Sequence, residues 1–450
     1  MTEKQFFTAS PVDELTYCVE KIDRHPLIHG WIFTLEGEVC SENLKAALDT
    51  SLKSYPKFKC TMTRTYPSLK RWFRYSWEYR EAPADNIFQE IDDRGPHHRG
   101  IDAMTYYIEN HSSLAIDISC QIPLKVILIR QPKQSSLIFI FHHAVADGIG
   151  SFIFIQQFIK FYEEIFYQKK MSADHPPDFK AISQPEIRFS WHLFSPRLIY
   201  SYLQYTRLLR KEPSAQLRPQ GGEAGADTFL AVVRDIPPQQ FNMLRTTAKQ
   251  YQASINDYLL LCMFQTIKKW NEQETDESER FYITVPINLH NPEDPTVGNI
   301  ISGFNISLRS DSIGERKETV RLIQKELTTM MNNDIALTTF NLGWFLKLIP
   351  LSIKNLFYKQ IPRIAAPTFS LSNLGVFSPN PSHKDEEGFH YLGPARIKSV
   401  SITPPAGQWI GMVINTYNNR ITFSMTALRS YFSPEAVGAF LDLFIRELLP

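Results

Sequence analysis

Two adjacent histidines, His142 and His143, close a run of strand-forming residues, Ser136-Leu137-Ile138-Phe139-Ile140-Phe141, and Asp147 and Gly148 follow shortly after. An imidazole titrates at about 6.5, so near neutrality its proton-accepting form dominates. A strand end holds such a group rigidly, as a general base requires. An alcohol or amine is a poor nucleophile until a base removes its proton. His143 is therefore the candidate base. Side chains alternate along a strand, which sends His142 to the opposite face as a hydrogen-bonded support. The same alternation keeps the two histidines from sharing one ion, so no metal is expected. Asp147 invites a triad reading, yet the chain contains no GxSxG to supply a nucleophile. Gly148 and Gly150 open the next element, where a missing Cβ permits an unusual φ or the close approach of a ligand.

These residues sit in an alternation of strands and helices. Residues 27–38, 69–80, 122–131 and 136–142 pattern as strands; 41–54, with Ser41 as N-cap, and Ile149–Phe166 pattern as helices. Residues 1–175 thus form an α/β half carrying the histidines. Residues 176–227 are a linker holding a basic aromatic helix, with 212–227 its clearest loop. Residues 228–450 form a second α/β half. It contains strands at FLAVVRDI, FYITVPINL and IISGFNISL and helices over 238–251, 254–270, 314–332 and 340–360. Four further strands follow, with an Asn418-Asn419 hairpin, before a final helix capped by Ser433.

At 450 residues the chain is too long for one ordinary core. Hydrophobic residues at 43% and charged residues at 21% are ordinary for a globular protein. A net charge of +1 gives no case for nucleic acid. The five cysteines, Cys18, Cys40, Cys60, Cys120 and Cys262, contain no CxxC pair, which fits a reducing cytoplasm. No signal peptide and no membrane span is legible. The expectation is a cytoplasmic protein, at most bound to a membrane surface.

The HHxxxDG pattern resembles the acyltransferase superfamily of chloramphenicol acetyltransferase and nonribosomal condensation domains. Supporting segments are Tyr55-Pro56-Lys57-Phe58-Lys59, Leu114 through Ile118 with Pro123-Leu124-Lys125-Val126, and Ser254 through Leu260. Val285-Pro286-Ile287-Asn288-Leu289 with Gly298-Asn299, and Ser372-Asn373-Leu374-Gly375, resemble segments of wax ester synthases and other free-standing O-acyltransferases. The resemblance implies two similar α/β lobes in a V shape, with the active site in a tunnel between them. It implies that His143 is the base and that Gly148 leaves room for pantetheine. It also implies that Asp147 turns away from the site to pair with an arginine. The arginine positions correspond here to Lys59 and His290, and Arg64 is a substitute. Asn373 is a candidate oxyanion donor or, equally, a turn-shaping residue. The PLWE motif of wax ester synthases and the DFGWG motif of plant acyltransferases are absent. The implied activity is acyl transfer from coenzyme A or a carrier-protein phosphopantetheine arm to a hydroxyl, forming an ester. That thioester is the co-substrate, and no bound cofactor is implied. Amide formation on a carrier protein, and a non-catalytic recruitment module, are the alternatives.

Two stretches lack acidic residues, Ile187–Lys211 and Ile335–Lys384. The first interleaves arginines with Trp191, Phe194, Tyr202 and Tyr205; the second holds Lys354 and Lys359, candidate donor-binding cations at a tunnel mouth. A peripheral membrane contact or a helix bridging the lobes are the other readings.

Overall fold

The computed structural model describes the chain except residues 1–4, 65–73, 82–83, 96–99, 170–176, 178, 180–181, 183–194, 227, 272–278, 292, 294–295, 347–348, 360–365, 380–383, 406–409 and 450. The expected strand before Ser76 and the basic aromatic segment before Ser195 therefore lie largely outside the described residues.

Two six-stranded sheets organise the described chain. The strands are β1 (Phe6–Thr8), β2 (Ile28–Glu36), β3 (Cys60–Thr63), β4 (Ser76–Tyr79), β5 (Phe88–Asp92), β6 (Leu124–Arg130), β7 (Ser135–His142), β8 (Phe229–Ile236), β9 (Arg280–Asn288) and β10 (Ile301–Arg309). They continue with β11 (Phe369–Val376), β12 (Tyr391–Leu392), β13 (Ala395–Ile402), β14 (Ile410–Tyr417) and β15 (Arg420–Leu428). The first sheet has the order β12-β13-β2-β7-β6-β5 and the second β10-β9-β11-β14-β15-β8, while β1, β4 and β3 form a small third sheet. The helices are α1 (Pro11–Asp23), α2 (Ser41–Ser54), α3 (Ala103–Glu109), α4 (His111–Leu114), α5 (Gly148–Phe166), α6 (Pro196–Lys211), α7 (Pro238–Gln250), α8 (Ile255–Asn271), α9 (Arg316–Asn332), α10 (Ile335–Phe345), α11 (Leu351–Tyr358) and α12 (Pro434–Leu448).

β7 is buried along its whole length, and so is β14. That is why both read as near-continuous apolar runs rather than alternating ones. α5 lays an aromatic face on β7: Phe154 packs on Phe141 with ring centroids 5.8 Å apart and Phe158 on Phe139 at 5.0 Å. In the second lobe, α8 is buried from Tyr258 through Ile267, as a helix apolar on every side must be.

The division between the halves is not clean. β12 and β13 join the first sheet, with Ser399 opposite Thr34 and Ile402 opposite Trp31. Residues 391–402 thus leave the 228–450 half that the sequence assigns them to. The cause is β2, which would otherwise present an unpaired edge, and whose core accepts Ile397, Val400 and Ile402.

Three local readings also change. The helix expected over 340–360 is two helices, α10 and α11, separated at Pro350. Cys40, not Ser41, occupies the N-cap of α2, and Ser41 Oγ instead donates to Glu90 Oε2 at 2.6 Å. α1 is absent from the sequence reading although Ser10 and Asp13 close a capping box and Pro11 stands at its first position. The Asn418-Asn419 turn is present, both residues in the left-handed region at φ 47° and 59°.

Candidate active site

β7 ends at His142, and the turn to α5 carries His143 through Asp147. The two histidines part as strand geometry requires. His142 is fully buried and turns to α1, where its Nε2 meets Glu20 Oε2 at 2.8 Å. Its Nδ1 accepts the Ala144 N–H at 3.0 Å, so the proton sits on Nε2 and is donated to the carboxylate. His142 is a support residue, and Glu20 locks its ring.

His143 is anchored through its backbone. Its N–H donates to Leu27 O at 2.7 Å, and its carbonyl accepts Asn299 Nδ2 at 2.7 Å. The ring is only partly exposed and stands edge-on to His29, centroids 5.4 Å apart. Burial pushes its pKa below the ordinary imidazole value, although its own backbone, Asp147 and Asn299 act in the opposite sense. A lowered pKa keeps the ring neutral, the state a base needs.

Asp147 caps α5. Its Oδ1 accepts Gly150 N–H at 2.7 Å and its Oδ2 accepts Ile300 N–H at 2.8 Å, while His290 Nε2 lies 3.1 Å from both oxygens. Burial acts to raise its pKa, but these hydrogen bonds outweigh it and hold the carboxyl below its usual range. Of the proposed partners, His290 fills the role. Lys59 is buried at the end of the Pro56–Lys59 turn and is not among Asp147's partners, and Arg64 lies over the Tyr75 ring instead. The segment around Gly298 packs so closely that a Cβ on Gly150 would meet Gly298 O at 2.5 Å. Close backbone approach explains that glycine.

The other candidates fare differently. A Cβ on Gly148 would meet a Leu374 methyl at 2.8 Å, so Leu374 occupies the space expected for a pantetheine arm. The void there, between Trp31, Gly148, Phe152, Leu374 and Phe377, is about 10 Å³. Asn373 is exposed and does not bond to His143. It donates to Asn256 Oδ1 at 2.7 Å and accepts Gly375 N–H at 2.9 Å, where Gly375 takes φ +73° beside a register shift in β11. It shapes the bulge rather than an oxyanion site. Lys354 is buried against Glu14, which also accepts the Tyr358 hydroxyl at 3.1 Å and the Tyr75 N–H at 3.2 Å. It cannot attract a donor to a tunnel mouth, because its charge is spent on pinning α11 to α1. Lys359, just beyond α11, is exposed.

Three site residues lie outside the sequence reading. His29 Nε2 bonds Ser151 Oγ at 3.1 Å, and that hydroxyl accepts Trp31 Nε1–H at 2.9 Å and donates to Gly148 O at 3.0 Å. Desolvation holds the His29 pKa well below its ordinary value. Asp13 is fully buried and accepts Lys57 Nζ at 3.2 Å, Trp77 Nε1–H at 2.9 Å and Asn299 Nδ2 at 3.2 Å. Asn299 therefore ties α1 of one lobe to the His143 carbonyl from the other. The Ser10-Pro11-x-Asp13 start signal marks α1 in the sequence, but no local pattern marks Asp13 as the hub of that network.

A cavity of about 470 Å³ lies elsewhere, between Thr34, Ser136 and Ser399 on one side and α3 and β8 on the other. Thr34 stands six residues along β2 from Ile28, the partner of His142, which is roughly 20 Å at strand rise. Among the described residues, no cluster of metal-ligand type is present and no helix is long and apolar enough to cross a membrane.

A two-lobed α/β fold with paired histidines at a strand end beside a capped helix is the architecture of the HHxxxDG acyltransferase superfamily. The profile of the condensation domain matches residues 3–333, and the chain belongs to that family. Solved structures agree on the fold. TRI3 trichothecene 15-O-acetyltransferase from Fusarium sporotrichioides superposes with a TM-score of 0.75 at 11% identity, covering 99% of this chain and 95% of its own. The first condensation domain of the calcium-dependent antibiotic synthetase gives 0.72 at 12%, covering 99% and 96%. The condensation domain of the monacolin K polyketide synthase MokA gives 0.67 at 11%, with the same coverage. Compared by sequence with curated proteins, the chain matches none.

Proposed function

We propose that this protein is an acyltransferase that moves an acyl group from a thioester, on coenzyme A or a carrier-protein phosphopantetheine arm, to a hydroxyl, forming an ester. One observation supports this most: His143 is a histidine held neutral by burial and fixed at both backbone groups, beside an aspartate whose oxygens are all engaged. In the proposed step, neutral His143 takes the acceptor's hydroxyl proton as the oxygen bonds to the thioester carbon. The tetrahedral intermediate then collapses, the carbon–sulfur bond breaks, and His143 returns the proton to the leaving thiolate. Asp147 does not serve as a second base, because its lone pairs are occupied.

The test is thiol release from acyl-coenzyme A and from acyl-carrier protein, with alcohol and amine acceptors. Wild type is expected to release thiol with an alcohol, and His143→Ala to lower turnover by roughly 10²–10⁴-fold while the melting temperature holds. Near-normal turnover in a folded His143→Ala chain removes the base. Turnover with amines on a carrier protein alone replaces the ester reading by the condensation reading. Absence of thiol release under all conditions favours a recruitment module.

A further inference from the structure

The two acid-free stretches of the sequence meet in the fold. α6, from the first, packs on α10, from the second. Its inner face is anchored. Leu198 is buried, Tyr202 and Tyr205 pack on the second core, and the Tyr205 hydroxyl accepts the Asn305 N–H at 2.9 Å. Ser201 bonds Asn333 at 3.1 Å, just past the end of α9. The outer face has no such partners. Ile199, Tyr200 and Leu203 are 41%, 63% and 57% exposed. Arg197, Arg207, Arg210 and Lys211 are exposed on the same helix. α6 has no acidic residue and neither does α10 beneath it. The first acid beyond the helix, Glu212, is engaged by Arg280 at 2.6 Å.

Isolated apolar side chains on a surface need no explanation, but three within two turns, ringed by cations with no acidic partner among the described residues, do. A helix lying flat with apolar side chains between arginines is matched by the interface of an anionic bilayer. The apolar groups enter the acyl boundary, and the long cationic stems reach the phosphates.

We propose that α6 docks this protein on anionic lipid bilayers. The proposal is independent of the reaction assigned above. The test is sedimentation of the full chain with vesicles of phosphatidylcholine, alone or with roughly one-third phosphatidylserine. Wild type is expected to pellet with the anionic vesicles and to be released as salt rises, because screening weakens exposed charges. Tyr200→Ser with Leu203→Ser, and separately Arg207→Glu with Arg210→Glu, are each expected to reduce partitioning about tenfold or more, at unchanged melting temperature. Wild type remaining in the supernatant overturns the proposal, as does equal binding to neutral and anionic vesicles. Variants that bind like wild type overturn it too. Saturable binding to an acidic carrier protein, lost in the arginine variant and without vesicle binding, replaces the membrane by a protein partner.

Discussion

Replacing Asp147 by asparagine removes a charge and almost no volume, so its effect can be worked atom by atom. The two carboxylate oxygens face separate backbone donors, Gly150 N–H at 2.7 Å and Ile300 N–H at 2.8 Å, and share His290 Nε2 at 3.1 Å. An amide has one oxygen. Whichever way it is turned, its NH₂ confronts one of those N–H groups. One buried donor is then left without an acceptor, at about 1–3 kcal/mol, and the bond from His290 loses its charge assistance, about 1 kcal/mol more. The sum is about 2–4 kcal/mol, which over the unfolding entropy of a 450-residue chain is a fall in melting temperature of roughly 2–4 °C. The pH dependence sharpens the test. A carboxyl whose folded pKa is depressed contributes stability above its unfolded value, about 3.9, and loses it as pH falls through the folded value. Calorimetry should therefore find the gap between wild type and Asp147→Asn full at pH 7 and narrowing only below about pH 4. A variant melting within about 1 °C of wild type at pH 7, or a gap already closed at pH 5, would refute the hydrogen-bond count.

Three further outcomes follow from the site. Burial lowers the His143 pKa, so the acid limb of kcat/KM should fall below the free imidazole value of about 6.5, and a limb at or above it contradicts the desolvated ring. Leu374 fills the space over Gly148; Leu374→Ala should lower the donor KM or extend the accepted acyl length severalfold, and an unchanged donor profile places the acyl chain elsewhere. Lys354→Met strands Glu14 in the interior, so it should cost about 3–5 kcal/mol in unfolding measurements while leaving donor KM unaltered; a raised KM at unchanged stability would restore the donor-binding role.

Much of the fold is legible because its elements are locally coded. The apolar run of β7, the all-round apolar α8 and the Asn418-Asn419 turn each announce themselves within a dozen residues. What fails is what depends on distant partners. Nothing in Ala395–Ile402 says that its neighbour is β2, more than 350 residues earlier in the chain, because an alternating strand pairs equally well with either sheet until the open edge is known. The break at Pro350 and the capping box of α1 are likewise local signals.

The site divides along the same line. The two histidines and the aspartate are written in seven consecutive residues, and strand alternation alone separates the environments of His142 and His143. The groups that hold them are far away: Glu20 on His142, Asn299 on the His143 carbonyl, and His290 and Ile300 on Asp147. His290 shows the difficulty. A resemblance can point to its position, but only the fold decides between it and Lys59, since both are hydrogen-bond donors at plausible places. Three of these holding contacts come from residues 290–300 of the second lobe, and Asp147 N–H adds a fourth by donating to Gly298 O at 3.2 Å. The first lobe therefore carries His143 but does not complete its surroundings. Separating the lobes would free the His143 carbonyl and the α5 cap together. The proton-accepting geometry is thus a property of the closed pair of lobes rather than of the motif.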